Sequence, residues 1–382
     1  MGFHEFSSPY DWSRIAAYKR TAKAAFGGMI DLSVGSPVDP VPDSVRKALA
    51  VAANDPNAYG YPATAGTADL RAAIAEWFSA ARNVDLQAIH ADVVPTVGSK
   101  EGVALMASLL HFGEDDVVVQ PKVSYPTYEI GTQLAGAQVL KVDDVADVAS
   151  WRNVPGVKAV WVNSPCNPTG EVYSAERMAG IVAAAREIGA VVLSDECYAL
   201  MQWRGATNSA DDDPLQSTPC ALRSDVCAGS AEGVLVLYSL SKQSNMAGYR
   251  TAFIAGDESL IASMSAYRKQ SGQIIPGPVQ AAMAAGLRDL ESVKVQHARY
   301  RERLGVLVSA LRAYGYCTDM PDGALYVWVR AKSGDCWTDM EQLAKIGIIA
   351  SPGEFYGAPE CLRFSATASD EAIASAAERL AR

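Results

Sequence analysis

Short apolar runs alternate with alanine-rich stretches of helical spacing through the middle of the chain, and this alternation restricts the fold more than any other feature of the 382 residues. Val93 to Val97 leads into Gly98-Ser-Lys-Glu101 and a helical stretch over 103–110. Asp116 to Pro121 is followed by a turn and a helix from Glu129. Ala159 to Asn163 precedes a Pro/Gly loop and a helix over 175–188. Val191 to Leu193, Val234 to Tyr238 and Thr251 to Ala255 complete the set. Strands followed by helices predict a mostly parallel sheet covered by helices on both faces. Beyond Ala255 the pattern turns helical, with a long amphipathic stretch over 279–314 and a smaller α+β segment after it. We therefore expect a large domain over 45–270 and a smaller one made of residues 1–44 plus 271–382. Residues 206–232, rich in Ser, Asp, Pro and Thr, read as an exposed excursion with at most a short helix.

In open α/β sheets ligands sit outside the carboxyl ends of the strands, so the residues there are the candidates. Lys242 lies just past one such end, in a Ser/Gly-bearing turn with Ser239 before it and Arg250 after it. A lysine amine attacks an aldehyde only when held in a cleft and partly stripped of water, and hydroxyls beside a guanidinium suit a phosphate. A solvated loop lysine is the bland alternative. Gly98-Ser99-Lys100 opens a helix, where free N–H groups favour an anion; Ser99 as a plain N-cap is the competing reading. Tyr125, in a Pro-fixed turn, can stack on a flat ring or simply pack. Asn167, restricted by Pro168, can point its amide at a phenolate oxygen or merely form a turn. Asp195 follows an apolar strand, where a buried carboxylate is costly without a positive partner such as a protonated pyridine; capping a helix is the other option. Tyr198 can donate a phenol hydrogen bond. Taken together, these strand ends suit one ligand, pyridoxal 5'-phosphate (PLP), with Lys242 as the amine that captures its aldehyde.

Composition narrows the rest. The net charge is −10, which argues against a nucleic-acid or anionic-membrane surface. Seven scattered cysteines without a C-x-x-C pair read as free thiols of a reducing cytoplasm, and four dispersed histidines offer no metal site. No signal peptide or membrane-spanning run is expected, and neither a G-x-x-x-x-G-K-[ST] nor a G-x-G-x-x-G loop occurs.

The motifs Tyr61-Pro-Ala-Thr-Ala-Gly66 with Leu70-Arg71, Asn167-Pro-Thr-Gly170, Ser194-Asp-Glu-Cys-Tyr198, Ser239-Leu-Ser-Lys242 with Arg250, and Arg363 in Leu362-Arg-Phe-Ser365 resemble those of fold type I PLP-dependent aminotransferases of class I/II. The resemblance runs along nearly the whole chain. It implies an α/β PLP-dependent transferase fold, with helices sandwiching the sheet of a large domain, and a cytoplasmic homodimer acting on amino acids and 2-oxo acids. Lys242 would hold the cofactor aldehyde and shuttle the proton, and Asp195 would pair with the ring nitrogen. Asn167 and Tyr198 would hold the ring oxygen, with Tyr125 on the ring face. Ser99, Lys100, Ser239, Ser241 and Arg250 would surround the phosphate, joined by Tyr61 of the neighbouring subunit. Arg363 would grip the substrate α-carboxylate with the backbone of Gly35 nearby. Asp31 to Pro40, Ser124 to Tyr128 and Gly277 to Ala282 look most like N-succinyldiaminopimelate aminotransferases of bacterial lysine and cell-wall synthesis. Tyr125, where aspartate aminotransferases carry Trp, lowers the rank of aspartate. Arg268 and Lys269 are candidates for a far carboxylate. Aminotransferases of other amino acids, a PLP lyase and a PLP-sensing regulator are the alternatives.

Overall fold

The computed structural model describes residues 10–56, 58–203 and 218–382. Its centre is a seven-stranded sheet built from β1 (Ala91–Val97), β2 (Val117–Pro121), β3 (Gln138–Val142), β4 (Val157–Asn163), β5 (Val191–Asp195), β6 (Val234–Ser239) and β7 (Thr251–Asp257). The spatial order is β1-β7-β6-β5-β4-β2-β3. Pairings from β6 through β3 are parallel, whereas β7 is antiparallel to both neighbours. Six strands therefore point one way, and their carboxyl ends share one edge. The reversed β7 brings its amino end to that same edge, with Val97 opposite Thr251 and Ser239 opposite Ala252.

The strands form because their residues suit burial on both faces. All six residues of β6 are buried, as continuous apolar runs in covered parallel sheets must be. Alternate side chains enter different cores: Val160, Val162, Val192 and Val236 face one layer of helices, while Trp161, Leu193, Leu235 and Leu237 face the other. Flanking helices used below are α1 (Asp43–Ala53), α2 (Ala68–Arg82), α3 (Ser99–Leu109), α4 (Gly277–Arg288) and α5 (Leu290–Ala313). A second core gathers β8 (Tyr326–Arg330), β9 (Ser351–Pro352) and β10 (Cys361–Ser365), an antiparallel sheet in the order β9-β10-β8, with the later part of α5 and the helix Asp370–Leu380.

Several expectations need correcting. Helix α4, which follows the expected boundary at 270, packs in the first core through Ala282, Met283 and Leu287. The long amphipathic stretch is two helices, broken where Asp289 accepts a hydrogen bond from Ser292 N (3.1 Å) and caps α5. The edge strand β3 is absent from the sequence-based set, its half-exposed residues giving no continuous apolar run. Of the excursion, residues 206–217 lie outside the described residues, and 218–232 carry the short helix Ser224–Cys227. No helix among the described residues is long and apolar enough to cross a membrane.

One buried ion pair fastens the strand-end region to the helices. Arg82, the last residue of α2, pairs with Glu196 at 2.6 Å, both side chains being almost wholly buried. Arg82 also donates to Thr218 O (2.9 Å), and Glu196 accepts from Ala221 N (2.8 Å) and Ser194 Oγ (3.0 Å). Removing one member leaves the other charged and dry. Arg82→Ala is expected to lower unfolding free energy by about 3–5 kcal/mol, measured by denaturant titration; a loss below about 1 kcal/mol would show that water reaches Glu196.

Candidate active site

A cavity of about 380 Å³ opens at the shared edge, between the large sheet and the second core. Its walls carry Ser99, Lys100, Tyr125, Asn167, Asp195 and Tyr198. Ser239, Ser241, Lys242, Arg250, Arg363 and Gly35 complete the set brought together from the sequence reading.

One end is built for an anion. Gly98, not Ser99, is the N-cap of α3; its φ of 78° is a conformation glycine adopts freely, and no side chain caps the helix. Ser99 is thus the first helical residue, and the amino end of α3 keeps unsatisfied N–H groups. Arg250 has φ 57° and ψ 50°, a left-handed conformation that costs a non-glycine residue about 1 kcal/mol. Its guanidinium lies so close over Gly98 that a Cβ there would collide with it. Ser239 Oγ and Ser241 Oγ lie 2.7 Å apart on the same wall.

The buried Asp195 carboxylate accepts hydrogen bonds from Tyr128 Oη (2.8 Å) and Cys197 N (3.2 Å). It forms no ion pair among the described residues, and it is not a helix cap. Burial raises its pKa above the ordinary carboxylate range, outweighing those hydrogen bonds. Tyr128 is held by stacking on Trp161, with ring centroids 4.5 Å apart.

Lys242 sits in the short helix Leu240–Gln243 rather than in an open turn, and its Nζ donates to Gly35 O. Burial depresses its pKa, which favours the neutral, nucleophilic amine.

Opposite the anion end, Arg363 is buried. It donates to Asn167 Oδ1 (2.6 Å) and Ser33 O (2.8 Å), and its guanidinium carbon lies 3.9 Å from the Tyr326 ring centroid and 4.7 Å from that of Tyr356. Its Nε has no hydrogen-bond partner, and no carboxylate pairs with it among the described residues. The charge awaits an anion from outside.

Three candidates are not brought in. Tyr61 is fully exposed and does not line this cavity. Arg268 is buried in an ion pair with Glu101 (3.0 Å), and Lys269 is exposed away from the cavity, so neither reaches a ligand held there. Conversely, Asn163, Tyr128, Tyr326, Tyr10, Trp12 and Tyr356 were missed. Asn163 could have been found, since it ends β4 as Asp195 ends β5; its Nδ2 donates to Asp195 O (2.8 Å), and its Oδ1 accepts from Asn167 N (2.8 Å). Tyr326 has no signal in the sequence, because its partners are 37 and 128 residues away.

The unmet demands are a cation for Asp195, an anion at α3 and the serines, a carbonyl for Lys242 and a carboxylate for Arg363. PLP together with an amino-acid substrate fits all four, on the chemistry of these donors and acceptors alone.

Comparison with known proteins agrees. Residues 27–380 match the family model of aminotransferase class I and II. The chain is 40% identical to the 4-dedimethylamino-4-oxo-anhydrotetracycline transaminase OxyQ of Streptomyces rimosus, covering 97% of this chain and 98% of that one. It is 39% identical to a probable aminotransferase of Mycobacterium tuberculosis, covering 97% and 84%. A solved structure of a probable N-succinyldiaminopimelate aminotransferase from Thermus thermophilus superposes with a TM-score of 0.82 at 26% identity, covering 97% and 99%. The chain belongs to the class I and II aminotransferases and is PLP-dependent.

A buried carboxylate whose pKa is raised in the fold contributes stability that is complete below its unfolded value, about 4, and is lost as pH rises through its folded value. Asp195→Asn removes that loss. In the cofactor-free protein it is expected to raise unfolding free energy by about 1 kcal/mol at pH 8, with the gain shrinking toward pH 4. Thermal unfolding at several pH values checks this; an unchanged difference across pH would mean that Asp195 is already compensated.

Proposed function

We propose that this aminotransferase takes an amino group from glutamate and delivers it to N-succinyl-2-amino-6-oxopimelate, in two half-reactions at the cavity described above. The buried, unpaired Arg363 beside Asn167 is the observation that carries the reading, because it calls for a substrate α-carboxylate and suits a bidentate grip. The resemblance of the segments at 31–40, 124–128 and 277–282 and the Thermus structure support the acceptor.

When bound, PLP supplies a carbonyl that condenses with amines and a protonated ring that takes up electron density from the substrate α-carbon. In this reading Lys242 Nζ would hold the cofactor through its carbonyl and, once freed by the substrate amine, would be the base that moves the proton. Asp195 keeps the ring nitrogen protonated, and Tyr128 and Cys197 N fix the carboxylate that does so. Asn167 and Tyr198 donate to the ring oxygen, and Tyr125 covers one ring face. Ser99, Ser239, Ser241 and Arg250 hold the phosphate. Lys100, whose ammonium lies 5.8 Å from the Tyr10 ring centroid, would serve the phosphate or the far carboxylate that Arg268 does not reach. Tyr61, exposed on one copy, reaches the phosphate of a second copy in a homodimer.

The aromatic wall of Tyr10, Trp12 and Tyr356, with the 40% identity to a transaminase of a tetracycline-type ketone, favours a second reading in which the acceptor is a bulky ring ketone.

Two measurements test these statements. Lys242→Ala is expected to abolish both the visible absorption of lysine-bound cofactor and the half-reaction with any donor; retained turnover would remove Lys242 from its role. A half-reaction screen of glutamate, N-succinyl-LL-2,6-diaminopimelate, aspartate, alanine and a bulky alicyclic amine is expected to rank the first two highest. Faster conversion of the alicyclic amine would transfer the assignment to the second reading.

A further inference from the structure

The segment that lines the cavity beside Lys242 has no regular structure of its own. Residues 32–42 lie between the strand Ile30–Asp31 and α1 and belong to neither helix nor strand. Within them Val34 and Gly35 face the cavity. Three successive carbonyls of this strap accept from side chains: Ser33 O from Arg363 (2.8 Å), Val34 O from Thr367 Oγ1 (3.2 Å) and Gly35 O from Lys242 Nζ. Where those carbonyls sit depends on what anchors the other end of the strap.

The anchor is one face of α5, on which Gln296, Arg299, Tyr300 and Arg303 recur at helical spacing. Asp39 accepts from both terminal nitrogens of Arg303 (2.7 Å each), from Arg299 (3.2 Å) and from Gln296 Nε2 (2.8 Å). Gln296 turns its other amide atom toward the lysine turn, where Oε1 accepts from Asn245 Nδ2 (3.0 Å). Asn245 also donates to Pro40 O (3.3 Å) and accepts from Tyr300 Oη (3.1 Å). It stands three residues after Lys242 with φ 55°, a left-handed conformation that Asn tolerates better than most residues. One buried amide, that of Gln296, thus bonds the strap on one side and the lysine turn on the other.

We propose that Gln296, with Asn245, is a positioning residue that holds the Gly35 carbonyl against the Lys242 amine and so aims that amine for capture of the cofactor aldehyde. A lysine amine on its flexible four-carbon stem samples many directions. Donating one N–H to a fixed carbonyl leaves it few, and orientation of this kind lowers the barrier to a bond-forming step. In capture the nitrogen bonds to the aldehyde carbon and one water leaves, so only orientation is asked of Gln296. Arg303, held between Asp39 and Asp370 (2.5 Å), keeps the strap on α5 when the amide bridge is removed. The bridge can therefore be tested without releasing the strap.

This inference rests on the role proposed above for Lys242, and pyridoxamine 5'-phosphate separates the two, because it carries the ring and the phosphate but no aldehyde. Full-length holoenzyme is stripped of cofactor. The rate at which added PLP restores the visible absorption of lysine-bound cofactor is then measured, together with the affinity for pyridoxamine 5'-phosphate by calorimetry. Gln296→Leu, of similar size, loses both bonds of the bridge; it is expected to slow capture about tenfold and to change the pyridoxamine 5'-phosphate affinity by less than about twofold. Asn245→Gly, which permits the left-handed turn, is expected to slow capture at least as much. Adding Gln296→Leu to it should change nothing further, because the two residues share one bridge. Capture at the wild-type rate in Gln296→Leu, a parallel fall in capture rate and pyridoxamine 5'-phosphate affinity, or multiplied effects in the double variant would overturn the proposal and leave Lys242 in its role. Visible absorption restored in Lys242→Ala would remove Lys242 from capture, and this inference with it.

Discussion

Two buried charges of opposite sign share one cavity without neutralising each other, and the site depends on their being kept apart. Were the Arg363 guanidinium to reach the Asp195 carboxylate, both would be satisfied internally and neither would call for a ligand. Two asparagines prevent this. Asn167 accepts from Arg363, its backbone N–H is held by Asn163, and Asn163 donates to the backbone carbonyl of Asp195. The chain of amides links the two charged residues through neutral groups, so the charges remain available. Because Asn163 and Asp195 are opposite each other at the ends of adjacent parallel strands, the spacing is fixed by sheet register rather than by a loop.

Register also explains how much of the site was legible beforehand. Buried parallel strands appear in sequence as continuous apolar runs, so their ends can be located to within a residue or two, and a ligand site at those ends follows from topology. Lys242, Asp195, Asn167, Tyr125 and Ser99, all read from those ends, line one cavity. What the sequence cannot display is which distant side chain meets which. Arg268 looked like a free cation, yet it is consumed by Glu101 within the first core. Tyr128 and Tyr326 carry no sign of a role in sequence, yet each hydrogen-bonds a group at the strand ends. The division of the long helical stretch at Asp289 escaped because neither glycine nor proline marks it.

The same site shows where the fold accepts local cost. Arg250 occupies a left-handed conformation immediately before the one reversed strand, and Gly98 gives up its side chain to make room for the guanidinium. Asp195 is buried without a counter-charge. Against these stand the Arg82–Glu196 pair and the two helical layers packed on the sheet. Instability is concentrated where a phosphate and a protonated ring would relieve it, so ligand binding and folding draw on the same groups.

The 24-residue helix α5 begins against α1, where Asp289 meets Ser44, and continues into the second core through Tyr300, Leu304 and Leu307. At about 36 Å it acts as a stiff strut between the two halves of the molecule. By length alone, a tilt of about 5° at its capped foot corresponds to about 3 Å at the far end, where the helix packs against β8 and the helix Asp370–Leu380.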